Sequence, residues 1–381
     1  MNENLSLGRI AGIRIGLNWS LLVVVALIAW SLAATILPSA DPGQPVAAYW
    51  TAGVISALVF MLSLLAHELA HSVVAQRRGV RVEGITLWLF GGVSQFGSDT
   101  TSPGASALIT FVGPLTSLVL GGVFYAVAVG LGGVPNTGLL RATLSWLGNI
   151  NLLLGLFNLL PAFPLDGGRI LHALIWLRTG DRLRATRIAA RIGMVFAFLM
   201  IAYGLASFVA LRSAFNGIWW IFLGWFLLSA ARSEEASGLL RQALEGIRVR
   251  EVMTPDPVLA PGDISVEEAL HGYVLASRHS TFPIQDGDGR LSGLLTMAAL
   301  KQVPVERRAT TRIRDIGCRM EQVPTVGPND PAINLLDRPQ TCSEGRTLVL
   351  DGDRLVGIVS PSDINRLLQR SVPGRAPARG Y

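Results

Sequence analysis

The fold is decided by one stretch, residues 57–78, which reads Ala-Leu-Val-Phe-Met-Leu-Ser-Leu-Leu-Ala-His-Glu-Leu-Ala-His-Ser-Val-Val-Ala-Gln-Arg-Arg. Its first ten residues are apolar or small, which is typical of a helix that crosses a membrane. His67, Glu68 and His71 follow in the spacing His-Glu-x-x-His. Residues i and i+4 share one face of a helix, so both imidazoles can reach one metal ion, with Glu68 beside them as a general base. The stretch therefore predicts a membrane helix that carries a metal site.

So short a motif also arises by chance, and two interpretations are open. The alternative is two histidines and a glutamate at a helix end near the membrane surface. A charged side chain inside an apolar helix costs about 2–3 kcal/mol on insertion scales and is tolerated where it faces a cavity or a partner. Because residues 57–66 are apolar or small, the motif lies well inside its span, which favours the metal site.

Composition divides the 381 residues into two parts. Half of the residues are hydrophobic, 15% are charged and the mean hydropathy is +0.46, whereas soluble proteins have about 25% charged residues. Residues 1–230 hold 13 arginines and seven acids, whereas residues 231–381 hold 19 basic and 19 acidic residues. The first part is typical of a membrane protein and the second of a soluble domain. No basic run accompanies the high pI, so nucleic acid is not expected as a partner.

Six apolar segments are long enough to cross a lipid bilayer. They run over residues 17–37, 46–75, 104–131, 139–160, 188–211 and 214–231. Residues 1–16 and 82–98 are too interrupted for spans. Their sequences predict two short hairpins at the membrane, the second turning at Gly91 and Gly92.

Arginines set the predicted orientation. With the N-terminus inside, eleven arginines of the first part fall on one side, and only Arg141 and Arg212 fall on the other. Cytoplasmic loops are enriched in arginine, so we expect a multi-pass protein of the cell membrane with both termini and the soluble part in the cytoplasm. Cys318 and Cys342 are then expected to be free thiols in a reducing compartment.

A catalytic zinc site usually has a third protein ligand. Asp166 closes the fourth predicted span at its cytoplasmic end, at a depth similar to that of the histidines. Spacing alone leaves two roles open for Asp166, a metal ligand or the cap of a helix over residues 167–178, and the shared depth favours the ligand. Asn158 also has two open roles: its amide could hold substrate backbone or an oxyanion, or form a helix–helix hydrogen bond.

These motifs resemble the site-2 protease family of intramembrane zinc metalloproteases over about residues 7–231. The resemblance rests on His-Glu-x-x-His at residues 67–71 and on Asn-x-x-Pro-x-x-x-Leu-Asp-Gly at residues 158–167, with Phe90-Gly91-Gly92 and Gly113-Pro114 between them.

The resemblance implies one Zn²⁺ per chain, held by His67, His71 and Asp166, with Glu68 as the catalytic base. It also implies a membrane-associated hairpin over residues 82–98 whose edge pairs with an unwound substrate. The residues expected to bind the substrate are Asn158, Gly91 and Gly92.

After a helical connector at residues 232–248, the soluble part contains a weak internal repeat, residues 249–305 and 306–370, followed by a tail at 371–381 expected to be disordered. The repeat resembles a pair of CBS motifs. In relatives that bind adenine nucleotides, a Ser/Thr and an Asp at the motif end hold ribose and phosphate. Ser360 and Asp363 fit this pattern, whereas the first copy has Ala299 in place of Asp. A nucleotide site in the second copy and a purely structural module, pairing two chains into a homodimer, remain equal alternatives.

The sequence thus predicts an α-helical polytopic membrane protein with six transmembrane helices and a membrane-associated β-hairpin, followed by a cytoplasmic α/β CBS-pair domain. The predicted function is an intramembrane zinc metalloendopeptidase that acts on a transmembrane protein substrate in the lipid bilayer. The alternatives are a CBS-regulated transporter or channel, which would need polar groups along a path between both membrane faces, and an inactive scaffold, which would lack a ligand or the base.

Overall fold

The computed structural model describes residues 5–88, 91–96, 102–209, 214–277, 279–336 and 342–371. The chain divides into two compact units, Met1–Gly238 and Leu239–Tyr381. Phe90 of the predicted turn, and residues 372–381 of the predicted tail, lie outside the described residues.

Seven helices begin within the described residues of the first unit. They are α1 (Ser20–Ala40), α2 (Val46–Arg77), α3 (Pro103–Gly130), α4 (Gly138–Asn158), α5 (Asp166–Thr179), α6 (Arg182–Val209) and α7 (Ala214–Leu244). Helix α2 begins after Pro45, whose missing N–H costs nothing here because the first N–H groups of a helix have no partner within it. The helix ends before Gly79, whose φ of +79° is the left-handed conformation that stops a helix.

Five of these helices, α1 to α4 and α6, are long and apolar enough to cross a membrane, as judged from the described residues. They match the first five predicted spans. The sixth predicted span, residues 214–231, forms the first half of α7, which is not among the five and continues to Leu244. The multi-pass membrane protein is confirmed, whereas six spans and the orientation stay predictions.

The spanning helices have apolar outer faces and small residues at their contacts. Leu62 on α2 and Leu199 on α6 are each 63% exposed, as expected for side chains that face lipid. Where α3 meets α4, a Cβ added at Gly121 would lie 3.0 Å from the Gly148 carbonyl oxygen. Small residues permit this approach, which suits helices that gain little from hydrophobic burial in a membrane.

A four-stranded sheet accompanies the helices, in the order β1 (Leu5–Ile10), β2 (Ile13–Leu17), β3 (Val82–Trp88) and β4 (Gly91–Phe96). Both predicted hairpins are present, and they join because β2 pairs in parallel with β3. The sequence did not predict this pairing, since parallel neighbours that are distant in sequence leave no local signal.

The predicted turn at Gly91 and Gly92 is wrong. Trp88 pairs with Gly91 and Leu87 with Gly92, so both glycines belong to β4. A Gly-Gly pair predicts a turn because glycine readily adopts the backbone conformations that turns need. Here the pair is instead at the start of a strand that passes close to α2.

The described residues of the second unit form two four-stranded sheets. Their strands are β5 (Thr254–Pro255), β6 (Ala260–Pro261), β7 (Thr281–Gln285), β8 (Leu291–Thr296), β9 (Cys318–Arg319), β10 (Thr325–Val326), β11 (Thr347–Asp351) and β12 (Arg354–Val359). The short helices are α8 (Val249–Val252), α9 (Val266–Ala269), α10 (Met297–Gln302), α11 (Ile313–Ile316) and α12 (Pro361–Ser371).

The two sheets have the same plan, with orders β6-β7-β8-β9 and β10-β11-β12-β5. In each, a parallel pair is followed by two antiparallel pairs. Each copy of the repeat gives its first strand, β5 or β9, to the sheet of the other copy. The weak sequence repeat is therefore a structural repeat whose two copies fold together.

The expectation of free thiols is wrong in this structure, where Cys318 and Cys342 form a disulfide with their Cα atoms 5.5 Å apart. Their sequence separation of 24 gave no hint of the contact. Cys318 lies on β9 in the core, and the fold brings the loop before β11 to it.

Candidate metal centre

His67 and His71 lie one turn apart on α2 and are almost fully buried, at 3% and 7% exposure. Their rings meet edge to face with centroids 4.8 Å apart, and the two Nε2 atoms are 3.1 Å apart. The helix therefore presents both imidazoles to one point, as their spacing predicts.

Asp166 reaches the same point from the start of α5. Pro161 and Pro164 fall in the break between α4 and α5, which places the carboxylate at a new helix end. Its Oδ2 lies 3.2 Å from His67 Nε2 and 3.3 Å from His71 Nε2. Of the two roles that spacing left open, capping does not occur, because Leu165 is the N-cap residue and no side chain caps this helix end.

The other ring nitrogens of both histidines have partners on α3. His71 Nδ1 lies 2.7 Å from the backbone oxygen of Ile109, and His67 Nδ1 lies 2.9 Å from Ser117 Oγ. A carbonyl oxygen only accepts, so His71 Nδ1 carries the proton and its Nε2 offers a lone pair to the cluster. Metal-binding histidines are commonly held in this way by a second partner.

These contacts fit a metal ion. Two imidazole nitrogens and one carboxylate oxygen, all within 4.8 Å of one another, form a donor set that catalytic zinc sites use. Room for the set comes from Gly113 on α3, where an added Cβ would overlap His71 Nε2 and lie 2.7 Å from His67 Nε2. Only glycine lets α3 approach the two imidazoles so closely.

Glu68 lies beside this cluster, half-buried between α2 and β4. Ser94 Oγ donates a hydrogen bond of 2.9 Å to Glu68 Oε2, and Ser72 Oγ lies 3.2 Å from Ser94 Oγ. At Gly92, an added Cβ would overlap Glu68 Cγ and lie 2.6 Å from Cδ. Strand β4 therefore packs directly against the glutamate that the sequence marks as the base.

Of the three residues predicted to bind the substrate, only one contacts this site among the residues that the structure describes. Gly92 touches the site through Glu68, whereas Gly91, with φ +126°, has open space where a Cβ would be. Asn158 is the last residue of α4 and is half-buried, and within the described part of the chain its amide has no hydrogen-bond partner.

In the second unit, Ser360 and Asp363 are together at the start of α12. Asp363 is 6% exposed, and its Oδ2 accepts from the Ser360 backbone N–H at 2.9 Å and from the Ser360 hydroxyl. Its Oδ1 accepts from Thr254 Oγ1 at 3.1 Å. In the first copy Thr296 caps α10 alone, by accepting from the Ala299 N–H at 3.4 Å.

Sequence reasoning missed the partners of the site: Ser117, the Ile109 carbonyl and Ser94. A weak signal for Ser117 exists, because it lies four residues after Gly113 and therefore on the same face of α3. Ser94 had no comparable signal, since its contact depends on how β4 packs on α2.

Comparison with known proteins agrees with these features. The profile of peptidase family M50 matches residues 55–140 and 132–200, and that of the CBS domain matches residues 249–306. Rip3 of Mycobacterium tuberculosis is 47% identical over 97% of this chain and 93% of its own. Zinc metalloprotease MJ0392 of Methanocaldococcus jannaschii is 32% identical over 97% of this chain and 97% of its own.

Among solved structures, the site-2 protease from Methanocaldococcus jannaschii is 31% identical and covers 61% of this chain and 94% of its own, with a TM-score of 0.40. Rip3 and MJ0392, which align along nearly the whole of both chains, establish the relationship. The chain belongs to the site-2 protease family of zinc metalloproteases, peptidase family M50, with a CBS-domain pair in its C-terminal part.

Proposed function

We propose that this protein is an intramembrane zinc endopeptidase that hydrolyses peptide bonds within or near transmembrane segments of other proteins. The observation that carries the proposal is the convergence of His67, His71 and Asp166 on one point. The two histidines and Glu68 beside them lie on α2, which is apolar enough to cross a membrane. The arginine bias supports an orientation with both termini and the CBS pair in the cytoplasm.

Each residue has a distinct role in this proposal. His67 Nε2, His71 Nε2 and Asp166 Oδ2 would hold the zinc. When bound, zinc supplies Lewis acidity, which lowers the pKa of water toward about 7 and polarises a carbonyl group. The Glu68 carboxylate takes a proton from the attacking water and passes it to the leaving amine.

Substrate binding would use the free edge of β4. A transmembrane helix hides its peptide bonds in its own hydrogen-bond ladder, so a substrate must unwind before it can be cleaved. Within the described sheet β4 is an edge strand, and an edge strand can pair with an extended segment. Gly91 and Gly92 on this strand, and the Asn158 amide at the end of α4, are the proposed substrate contacts.

Zinc analysis and a cleavage assay in detergent test this function. The probe is a quenched-fluorescence polypeptide whose single apolar segment is interrupted by Gly-Pro, so that its backbone is already open. We expect about one zinc per chain and cleavage by the wild type, with loss of cleavage and retention of zinc in Glu68→Gln. Cleavage by Glu68→Gln at the wild-type rate would exclude the proposed mechanism.

The remaining outcomes separate the alternatives. A wild type that binds zinc but cleaves neither the probe nor a set of polypeptides with other apolar segments would favour an inactive scaffold. A wild type without zinc would favour the scaffold or a transport function.

We further propose that an adenine nucleotide binds near Ser360 and Asp363 and modulates the protease. The motif supports this site in the second copy, and Ala299 argues against an equivalent site in the first. The Asp363 carboxylate already accepts from Thr254 and Ser360, so a ribose hydroxyl would have to share or replace one of these contacts. Calorimetric titration with AMP and ATP is expected to show binding to the wild type that is weakened in Asp363→Asn.

The CBS pair is also the proposed contact between two chains in a homodimer. Light scattering of the full-length protein in detergent gives its mass directly. No nucleotide binding together with a dimer would support the purely structural module instead.

A further inference from the structure

One hydroxyl group contacts the general base and has no role in the mechanism above. Ser94 and Gly92 are two residues apart on β4, so both face the same side of the strand. That side is packed against α2, because Gly92 has no room for a Cβ beside Glu68 and Ser94 Oγ lies 2.9 Å from Glu68 Oε2. The strand thus uses one position to make room for the glutamate side chain and the next position on that face to hold its carboxylate.

The hydrogen bonds have a defined direction. An ionised carboxylate only accepts, so the single hydroxyl proton of Ser94 goes to Glu68. Ser94 Oγ then accepts a hydrogen bond from Ser72 Oγ, which is 3.2 Å away. Ser72 lies one turn after Glu68 on α2 and is fully buried. Hydrogen bonds in such a chain polarise and strengthen one another, and the last one is to a charged acceptor.

We propose that Ser94 is a positioning residue that fixes the carboxylate of Glu68 for proton transfer. A glutamate side chain has three rotatable bonds, and its carboxylate samples several orientations unless a partner holds one oxygen. Ser94 holds Oε2, which leaves Oε1 to receive the proton. The inference rests on the proposed function, because it assumes that Glu68 is the base.

The position of Ser94 adds a second consequence. The residue belongs to β4, the edge strand proposed to receive the substrate. A substrate strand that pairs with β4 would therefore lie beside the residue that holds the Glu68 carboxylate.

The test compares Ser94→Ala, Ser94→Thr and the control Ser63→Ala in full-length protein. Ser63 lies on α2, the helix of Glu68, and is buried, but its hydroxyl donates to the Val59 carbonyl of its own helix. For each variant we would measure zinc per chain, kcat and KM on the quenched-fluorescence probe, and the infrared carboxylate band of Glu68. That band is isolated as the difference between wild type and Glu68→Gln, and it needs no substrate.

We expect Ser94→Ala to keep its zinc and its KM and to lose about 10–100-fold in kcat, as other supporting partners of catalytic groups do. The Glu68 band should shift in Ser94→Ala. Ser94→Thr, which keeps the hydroxyl group, should restore both kcat and the band, and Ser63→Ala should match the wild type.

Three outcomes would overturn the proposal. An unchanged band in Ser94→Ala would mean that the contact does not hold the carboxylate. An unchanged kcat, or a raised KM with the same kcat, would make Ser94 a bystander or a substrate contact. If the wild type fails to cleave the probe while the band still shifts in Ser94→Ala, the proposed function fails and the contact stands without a catalytic role.

Discussion

Asp166 and Asp363 occupy similar local positions in the two units, and their surroundings differ. Each is an acid in the first turn of a helix. Asp363 turns back on its own helix, where the Ser360 N–H and hydroxyl satisfy it. Asp166 follows Leu165, which has no hydroxyl group to offer, and its carboxylate faces two histidines of α2. An acid at a helix start is thus a cap where a residue just before the helix offers donors, and a candidate metal ligand where a distant helix places two imidazoles beside it.

The largest effect on this contrast is expected from filling the space beside the histidines that Asp166 contacts. Gly113→Ala puts a methyl group into the two imidazoles, so we expect no zinc above background in the purified variant. The control is Gly122→Ala on the same helix, where an added Cβ has no atom within 4 Å. Zinc analysis of both variants decides, and normal zinc in Gly113→Ala would show that the two imidazoles do not share a metal ion as the structure arranges them.

Exchanging the two acids for alanine separates their roles. Loss of a residue that only supports a metal ligand costs about 10–100-fold in metal affinity. Asp166→Ala is expected to weaken zinc binding by more than this, without destabilising the second unit. Asp363→Ala should keep its zinc and lose about 1–2 kcal/mol of local stability at α12, through loss of the cap. Competition with a zinc chelator and hydrogen exchange over residues 354–371 measure the two effects. Equal zinc affinity in Asp166→Ala would place the third ligand elsewhere.

Ser117, the hydrogen-bond partner of His67 on α3, allows a finer test of the surroundings of Asp166 in the first unit. Ser117→Ala removes the group that orients this imidazole, so we expect zinc affinity to fall about tenfold. Thr116→Val is the matched control, because the Thr116 hydroxyl donates to the Val112 carbonyl within α3. If both variants lose zinc equally, the loss reflects disturbance of α3 rather than of His67.

Glu268 on α9 provides a third acid in the first turn of a helix, fully exposed and with the smallest expected effect. The backbone N–H of Ser265, together with its hydroxyl, holds the pKa of Glu268 below its ordinary value of 4.5. A lowered pKa means that the cap stabilises α9 above pH 4.5 and loses this contribution as the pH falls through the lower folded value.

Hydrogen exchange of the α9 amides, corrected for intrinsic rates, measures this loss. Protection should fall between neutral and acidic pH in the wild type, and should be reduced already at neutral pH in Glu268→Gln. Glu267→Gln, one residue earlier, should behave as the wild type does. Identical profiles for all three proteins would show that the cap does not contribute.

Much of the fold followed from local patterns. Long apolar runs predicted the first five spans with ends that differ from the helix ends by at most six residues, because the thickness of the bilayer fixes how many residues a spanning helix needs. Residues 82–98 were correctly predicted to form two short strands, but the Gly-Gly pair misplaced the turn between them. Glycine signals either a turn or a close contact, and only the packing of β4 on Glu68 distinguishes them.

The spacing of residue types along one helix or one motif was enough to predict the candidate metal-binding histidine pair, the candidate third ligand and the repeat of the second part. The tertiary structure alone decided the parallel joining of the two hairpins, the exchange of strands between the CBS copies, the Cys318–Cys342 pairing and the contacts of Ser117 and Ser94. The physical reason is the same for all of them. A hydroxyl, a thiol or a strand edge has many partners within reach of an unfolded chain, and only packing of distant elements selects one.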